Sequence, residues 1–274
     1  MENDQELLAD LQDGISIIIP TWNNLVYLQK CIQSIRKYSA QPHEIIVHVN
    51  EGKDGTIQYL DKENILHSHT KQNAGVCRAV NEARKLATKR IIGFANDDMV
   101  FLPKWDSHLF KFVEDQKIQK LSWLSSTMIE PKGNNPCCLA PHNYGMSVDE
   151  FQEEALLNDL PKLYTMRKNM GGSTWPPTFL HADVFDSIGG FSEEFFPGRG
   201  SDPDLAKKLW DKGCRVFVGV GNSLVYHFGS KTIKRFRCTR EARQMFEAKH
   251  GMSIDHFVNI ILKRGTEYTG PIDG

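Results

Sequence analysis

Two adjacent carboxylates, Asp97 and Asp98, directly follow a short apolar run at residues 91–95. The run has the length and composition of a buried β-strand. In open α/β sheets, ligands bind outside the carboxyl ends of the strands, and paired carboxylates there offer hard oxygen ligands to a divalent cation. The residues alone leave a second interpretation open, in which an aspartate caps the helix that follows at Pro103.

The first half of the chain alternates strand and helix patterns. Strands are predicted at residues 15–19, 44–49, 64–69 and 89–95, and helices at residues 24–38, 55–60 and 75–88. This alternation predicts a parallel sheet with helices on both faces. Because right-handed crossovers bring the strand ends to one edge, we expect residues 20–23, 50–52 and 97–98 to converge on one ligand site.

After residue 121 the pattern is looser. Residues 130–144 are predicted to form a loop, and residues 168–177, which are rich in Gly and Pro, a mobile segment. The remaining elements are predicted helices at residues 148–157, 182–188, 202–212, 239–250 and 254–262, and strands at residues 215–220 and 223–226. The whole pattern indicates an α/β fold with a helical C-terminal third.

Composition excludes several classes of protein. The 274 residues carry a net charge of −1, so the whole-chain charge does not indicate nucleic-acid binding. Six scattered cysteines without a Cys-x-x-Cys pair indicate reduced thiols in a cytosolic protein. The acidic N-terminus lacks the pattern of a signal peptide, and no apolar run approaches the ~20 residues that span a bilayer. We therefore expect any membrane contact to be peripheral.

An ordered set of motifs resembles the family 2 glycosyltransferases. The resemblance is carried by residues 17–23, 73–75, 96–98, 188–195, 201–205 and 225–227. It implies the GT-A fold, an α/β nucleotide-diphospho-sugar transferase fold with a Rossmann-like, mostly parallel central sheet flanked by helices. It also implies one domain over residues 14–262, divided into a nucleotide-sugar-binding half (14–125), an acceptor-binding half (126–238) and C-terminal helices (239–262), with tails at residues 1–13 and 263–274.

The resemblance further implies an activity. A family member is expected to move a hexose, with inversion, from a nucleoside-diphosphate sugar to an acceptor hydroxyl in glycan or polysaccharide biosynthesis. The expected cofactor is Mn²⁺ or Mg²⁺, and the expected donor nucleotide is UDP. The acceptor is a glycan, a lipid-linked molecule or a protein, and the expected location is the cytoplasm, at most peripheral at the inner face of the membrane.

The resemblance assigns roles to residues of this chain. It gives Asp202 the role of general base and places Asp98 and His227 at the metal, where the imidazole favours Mn²⁺. The residues expected around the nucleotide sugar are Pro20, Thr21, Trp22, Asn23, Asn50, Glu51, Asn73, Gly75, Arg78, Asn96 and Asp97. Three residues are expected to contact the acceptor: Trp175, His181 and Ser201.

The chain departs from the family pattern at two positions. Asn50 and Glu51 stand where the family usually has two aspartates, although Glu51 can still accept the imide N–H of uracil or thymine. Ser201 stands where the family often has a glutamate before the base, so an acidic neighbour of Asp202 that helps to orient the acceptor is lost.

Structural roles remain open for several of these residues. Asp202 can simply cap a helix, His227 can be a core histidine, and Trp175 can be ordinary packing. A basic run after His227 is either a solvated face or a contact for the diphosphate or an anionic lipid; it consists of Lys231, Lys234, Arg235 and Arg237.

Other functions remain as alternatives. The main one is a catalytically inactive nucleotide-sugar or glycan-binding protein of the same fold, against which the retained Asp98 and Asp202 argue. A nucleotidyltransferase would need a glycine-rich loop with a lysine after the first strand, and residues 20–23 are not such a loop. A processive polysaccharide synthase would need membrane helices, which the sequence does not predict.

Overall fold

The computed structural model describes residues 3–133, 137–166, 168–229 and 239–273. Within these ranges, nine strands form one mixed sheet in the order β3-β2-β1-β4-β8-β6-β9-β5, with β7 beside β9. The strands are β1 (Ile15–Trp22), β2 (Glu44–Asn50), β3 (Leu66–Thr70), β4 (Ile91–Phe94), β5 (Met99–Phe101), β6 (Ser122–Ile129), β7 (Met170–Gly171), β8 (Thr178–His181) and β9 (Val216–His227).

Helices cover the sheet. They are α1 (Asn3–Gln12), α2 (Leu25–Tyr38), α3 (Thr56–Lys62), α4 (Gly75–Arg84), α5 (Trp105–Gln116), α6 (Glu153–Met166), α7 (Ala182–Ser187), α8 (Ser201–Asp211) and α9 (Thr239–His250), followed by a π-helix at His256–Ile261. None of the helices in the described ranges combines the length and the apolar character needed to cross a membrane.

Strands β1 to β4 form the parallel half of the sheet, as the alternating pattern predicts. Side chains of β1 alternate between two hydrophobic cores because successive residues of a strand point to opposite faces. Ile17 and Ile19 pack in the core that contains Leu28 of α2, while Ile18 packs in the core that contains Val80 of α4. Burial on both faces explains the continuous apolar run of β1.

Three strands in the middle and at the edge of the sheet, β5, β6 and β8, were not predicted from the sequence. Strand β6 contains a polar run, Ser125, Ser126 and Thr127, that is fully buried. The Oγ atoms of Ser126 and Ser223 are 2.7 Å apart, and Thr127 Oγ1 donates to Val220 O at 3.0 Å. The hydroxyls therefore find partners inside the sheet, and their polarity hides the strand from a hydrophobic-pattern analysis.

Strand β9 is continuous over residues 216–227, where two separate strands were predicted. Its parallel register with β6 shifts between Ser126 and Thr127, so the strand bulges without ending.

The structure of residues 168–177 differs more strongly from the prediction, which was a mobile segment. Most of this segment is buried, and Ser173 Oγ lies 2.6 Å from Ser125 Oγ. The prediction of mobility was wrong, because Ser173 and Trp175 are hydrogen-bonded to Ser125 of β6. Gly172 also lies so close to Arg264 that a Cβ atom would be 2.5 Å from the Arg264 Cα.

Both predicted tails pack on the domain. In α1, Leu7 and Leu11 are buried in the same core as α5. Near the other end, the backbone N–H of Gly171 donates to Thr266 O and that of Ile272 to Arg215 O, both at 2.8 Å.

The cysteines at positions 31, 77, 137, 138 and 214 are buried and not disulfide-bonded, while Cys238 lies outside the described residues.

A buried polar network joins α8 to α9. Asp204 is fully buried, and its Oδ2 accepts a hydrogen bond from Ser192 Oγ at 2.6 Å. Its Oδ1 lies 2.8 Å from His250 Nε2 and 3.0 Å from Lys249 Nζ, both on α9. Because Asp204 belongs to the first turn of α8, this network fixes the N-terminal end of that helix.

We expect Asp204→Ala to lower the free energy of unfolding by at least about 2 kcal/mol, because it leaves buried donors unpaired. The control is Asp255→Ala, which removes an exposed ion pair with Arg243 and should cost less than about 1 kcal/mol. Urea denaturation measures both values. Equal, small losses would show that the Asp204 network does not hold α8.

Candidate active site

A cleft opens at the carboxyl ends of β1, β2 and β4, where the sequence analysis placed the ligand site. The cleft is open to solvent on one side. The lining residues are Pro20, Thr21, Trp22, Asn50, Asn73, Gly75, Val76, Asn96, Asp97, Asp98, Pro197, Gly198 and Arg199. The predicted convergence of the strand ends is thus present, and we call this cavity the donor cleft.

Asp97 is held in place by residues of β1 and of the turn after it. Thr21 Oγ1 donates to Asp97 Oδ2 at 2.7 Å, and Asn24 Nδ2 donates to Asp97 Oδ1 at 3.0 Å. All of these side chains are buried. The carboxylate is therefore fixed on the floor of the cleft and does not cap α5, whose N-cap position is occupied by Lys104.

The N-terminal end of α4 forms another wall of the cleft. Asn50 Oδ1 accepts from the backbone N–H of Ala74 at 2.8 Å, and Asn73 Oδ1 accepts from that of Gly75 at 2.9 Å. Gly75 has φ +77°, and a Cβ atom there would lie 2.8 Å from a ring carbon of Phe196. Glycine is thus required where the loop around Phe196 meets the helix.

Three residues predicted for the nucleotide-sugar site do not line the donor cleft. Glu51 Oε2 accepts from Asn23 Nδ2 at 3.2 Å and pairs with Lys53 Nζ at 3.1 Å, so its carboxylate is already engaged beside the cleft. The hydrogen bond from Lys53 lowers the pKa of Glu51, with a further contribution from Asn23. Asn23 bonds to Glu51 and to the Lys53 backbone, and Arg78 is exposed on α4.

His227 lies beside Asp98 because β9 and β5 pair. In the antiparallel register, His227 is opposite Met99, the residue that follows Asp98. The backbone N–H of Phe228 also donates to Asp98 O at 3.1 Å. As a result, His227 Nε2 lies 3.3 Å from Asp98 Oδ1, while His227 Nδ1 lies 2.7 Å from Glu130 Oε1 at the end of β6.

This carboxylate–imidazole–carboxylate arrangement controls the charge of His227. Burial by itself disfavours the imidazolium, but Asp98 and Glu130 on either side raise the pKa of His227 to about 10. Without a bound cation, the ring is thus charged at neutral pH and neutralises part of the acidic charge around it. The alternative of a simple core histidine does not fit a ring placed between two carboxylates.

A second cavity adjoins the donor cleft and shares Val76, Asn96 and Gly198 with it. The other residues that line this second cavity are Phe94, Met128, Glu130, Pro176, Ser201, Asp202 and His227. We call it the acceptor-side cavity. It brings Asp202, predicted to be the base, into the same hollow as His227, predicted to be at the metal.

Asp202 lies in the first turn of α8 and is partly exposed in the acceptor-side cavity. A helix N-terminus favours an ionised carboxylate. Burial has the larger effect here and raises the pKa of Asp202 to about 7, although the Arg264 guanidinium opposes the rise. A carboxylate with this pKa can accept a proton near neutral pH. No side-chain cap is formed at the start of α8, where the N-cap residue is Gly200.

The residues predicted for the acceptor are only partly brought together. Ser201 lines the acceptor-side cavity, where its Oγ donates to Gly198 O at 2.6 Å. Trp175 is buried in the core and donates to Ser126 O at 3.3 Å, so its ring is not available for stacking on a sugar. Its neighbour Pro176 lines the cavity in its place.

His181 is distant from both cavities. It pairs with Ile91 at the start of β4, whereas the carboxylate pair follows the other end of that strand. His181 Nε2 lies 3.2 Å from Asp10 Oδ2, and its Nδ1 accepts from the backbone N–H of Asp183 at the start of α7. The structure therefore gives His181 a helix-capping role and contradicts its assignment to the acceptor site.

Two residues of the site were missed in the sequence analysis. Glu130 lies in a region predicted to be a loop, and Arg199 lies between two glycines before α8. A charged residue three positions before the predicted base was the available signal for Arg199. Glu130 gave no such signal because β6 was not predicted. The basic run Lys231, Lys234, Arg235 and Arg237 lies outside the described residues.

Residues 16–120 match the family model described as "Glycosyl transferase family 2". Over these residues the chain is similar to the family 2 glycosyltransferases. The match runs from β1 to just beyond α5 and includes Asp97 and Asp98. It confirms the family expected from the ordered motifs. Among curated protein sequences, none matches the chain.

Solved structures confirm the GT-A fold of the chain. S. aureus TarS 1–349 in complex with UDP-GlcNAc has a TM-score of 0.57 at 16% identity, over 79% of this chain and 61% of that one. Another structure of S. aureus TarS has a TM-score of 0.59 at 14% identity, over 86% and 39%. GalNAc-T7 with UDP, GalNAc and Mn²⁺ has a TM-score of 0.56 at 16% identity, over 78% and 43%. The chain thus spans less than two thirds of each of these structures.

We predict that Glu130→Gln lowers the pKa of His227 by at least about 1, because it removes one of the two flanking charges. Side-chain ¹⁵N NMR of the metal-free protein measures the titration. In the parent protein, the His227 imidazolium should persist through pH 9 and deprotonate near pH 10. The control variant Glu82→Gln changes a carboxylate on α4 that pairs with Lys85 and should leave this titration unchanged. A neutral His227 ring at pH 7 in the parent protein would contradict the assignment.

Proposed function

We propose that the chain is an inverting, metal-dependent glycosyltransferase. It would move a sugar from a nucleoside-diphosphate sugar to a hydroxyl of a glycan, a lipid-linked molecule or a protein, in glycan or polysaccharide biosynthesis. One observation carries this proposal: the cleft that holds Asp97 and Asp98 adjoins the cavity that holds Asp202, and the two share Val76, Asn96 and Gly198 in their walls. A donor and an acceptor placed in the two cavities would meet where the cavities join.

UDP is the nucleotide that we propose. The TarS and GalNAc-T7 structures of the same fold were solved with UDP-GlcNAc or UDP, which supports this choice. In this chain, Thr21, Trp22 and Asn50 line the inner part of the donor cleft and are proposed to surround the nucleoside. Glu51 lies beside that wall, with its carboxylate on Asn23 and Lys53, and we propose that it acts on the base only through those neighbours.

The side chains at the junction fit a divalent cation. His227 Nδ1 is engaged by Glu130, so Nε2 is the ring nitrogen that faces Asp98, at 3.3 Å from its Oδ1. Two neighbouring ligands of an octahedral ion lie about 3 Å apart, close to this separation. Among the described residues, no group of three or more His, Cys, Asp or Glu side chains could hold an ion. We therefore propose Asp98 and His227 as two ligands, and diphosphate oxygens of the donor would complete the site. One imidazole and one carboxylate favour Mn²⁺ over Mg²⁺.

The proposed mechanism is a single displacement. A bound cation would supply Lewis-acid stabilisation of the leaving diphosphate. Asp98 and His227 would hold that cation. Thr21 and Asn24 keep the neighbouring Asp97 carboxylate in a fixed position, from which it would contact the ribose. Asp202 takes the proton from the acceptor hydroxyl as its oxygen attacks the anomeric carbon. Attack from the acceptor-side cavity, opposite the leaving diphosphate, inverts the configuration.

The metal assignment predicts that Asp98→Ala abolishes the Mn²⁺-dependent part of UDP binding while the fold survives. The reason is that the carboxylate is a proposed ligand, while His227 keeps its second carboxylate partner, Glu130, when Asp98 is removed. Isothermal titration of UDP with Mn²⁺ and with EDTA measures the effect. In the parent protein Mn²⁺ should strengthen binding, whereas in the variant the two affinities should be equal. Equal strengthening in both proteins would remove Asp98 from the metal site.

The base assignment predicts that Asp202→Asn lowers turnover at least ~10²-fold, because asparagine cannot accept the proton. The activity of the parent protein should rise with pH through about 7, as Asp202 ionises. Release of UDP from a panel of UDP-sugars in Mn²⁺ measures both effects. The affinity of Asp202→Asn for UDP should equal that of the parent protein.

Stability provides a control for this variant. A raised pKa means that the ionised Asp202 opposes folding at neutral pH, so Asp202→Asn should melt at the same temperature or higher. If the variant turns over normally, Asp202 is not the base. If the parent protein binds UDP but never cleaves a UDP-sugar, the chain is the inactive nucleotide-sugar-binding alternative.

A further inference from the structure

Arg199 is a cation in the donor cleft, and among the described residues it has no hydrogen-bond or ion-pair partner. It lines the cleft together with Asp97 and Asp98. Its Nε atom is buried and has no hydrogen-bond partner in the part of the chain that the structure describes. Within the same ranges, no carboxylate forms an ion pair with its guanidinium. A buried guanidinium nitrogen without a partner is costly unless a ligand supplies the acceptor.

The loop that carries Arg199 is fastened at both sides. The backbone N–H of Val76, in the first turn of α4, donates to Pro197 O at 3.0 Å. On the other side, Ser201 Oγ donates to Gly198 O at 2.6 Å. Phe196 packs against Gly75, where a Cβ atom would be too close. The guanidinium is therefore presented from a fixed loop that bridges the walls of the cleft.

The two aspartates of the cleft are engaged by residues other than Arg199. Both oxygens of Asp97 accept hydrogen bonds from Thr21 and Asn24. Asp98 faces His227 at 3.3 Å. The guanidinium thus remains available to an anionic ligand, and a planar fork of N–H donors matches phosphate oxygens.

The charge of the proposed donor requires such a residue. A nucleoside diphosphate carries more negative charge than one divalent cation neutralises, and more of it develops as the sugar–phosphate bond breaks. Preorganised donors aimed at this charge stabilise the transition state. Arg199 is placed to supply the remaining positive charge from the protein, because it lines the cleft that contains Asp98.

We propose that Arg199 is a donor-binding residue whose guanidinium donates hydrogen bonds to the diphosphate of the nucleotide sugar. This inference rests on the proposed function, since it assumes a nucleoside diphosphate in the donor cleft. It assigns the phosphate contact to the loop before α8, a part of the chain beyond the segment that matches the family model.

The test compares two ligands that differ only in the diphosphate. UDP and uridine are titrated in Mn²⁺ against the parent protein, Arg199→Gln and Arg199→Lys, and the dissociation constants are measured by isothermal titration calorimetry. Arg199→Gln should weaken UDP binding by about 10- to 100-fold, the loss expected for charged hydrogen bonds. Uridine binding should change less than about twofold, and Arg199→Lys should recover part of the affinity for UDP because it restores the charge.

The matched control is Arg243→Gln, which removes an exposed arginine on α9 that pairs with Asp255. It should leave both affinities unchanged. UDP affinity that survives Arg199→Gln, or equal losses for UDP and uridine, would overturn the role of Arg199 alone. A parent protein that binds no nucleoside diphosphate in Mn²⁺ would overturn the proposed function and this role with it. Melting curves verify that each variant is folded, and Arg199→Lys carries the test if Arg199→Gln is not.

Discussion

The pairing of β5 with β9 is the contact on which the candidate site depends. Three residues on each strand form this short antiparallel ladder, and it is the ladder that places His227 opposite Met99. Without it, Asp98 would follow a strand end with no nitrogen ligand beside it. The two halves of the sheet are joined elsewhere, through β8, which pairs with β4 on one side and with β6 on the other. The β5–β9 ladder adds the edge strand, and with it the Asp98–His227 pair that we propose as metal ligands.

The charges of the two carboxylates of the site, Asp98 and Asp202, are controlled in different ways. Around Asp98, the imidazolium of His227 offsets the acidic charge, and in the proposed function a bound cation would replace its proton. Around Asp202, burial raises the pKa of the carboxyl to about 7, although the Arg264 guanidinium opposes the rise. These are the two environments that the proposed displacement at a sugar carbon would use, one for the metal and one for the acceptor proton. The loop with Arg199 lies between the two cavities, since its Gly198 lines both of them.

The sequence predicted the parallel half of the fold and the floor of the site well. Apolar runs marked β1 and β4, and the strand ends carried Thr21, Asn50 and Asp97 to one cleft as expected. These features are local, since the pattern of a strand and its last residue lie together in the sequence. The confirmed GT-A fold followed from the resemblance of the motifs.

The other half of the site depends on contacts between distant residues. Strand β6 is held by hydroxyl pairs such as Ser126 and Ser223, 97 positions apart, which no hydrophobic pattern reveals. Glu130 was missed for that reason. His181 and Trp175 were expected at the acceptor, but the pairing of β8 with β4 places His181 at the opposite end of the sheet, and Trp175 packs in the core.

The most direct measurement of the central claim uses a reaction in which water replaces the acceptor. The protein is given an α-linked UDP-sugar and Mn²⁺, and ¹H NMR identifies the anomer of the free sugar that forms. The account predicts that the β-anomer is formed first, at a rate that EDTA abolishes. Initial release of the α-anomer, or a rate independent of the metal, would contradict a metal-assisted inverting displacement.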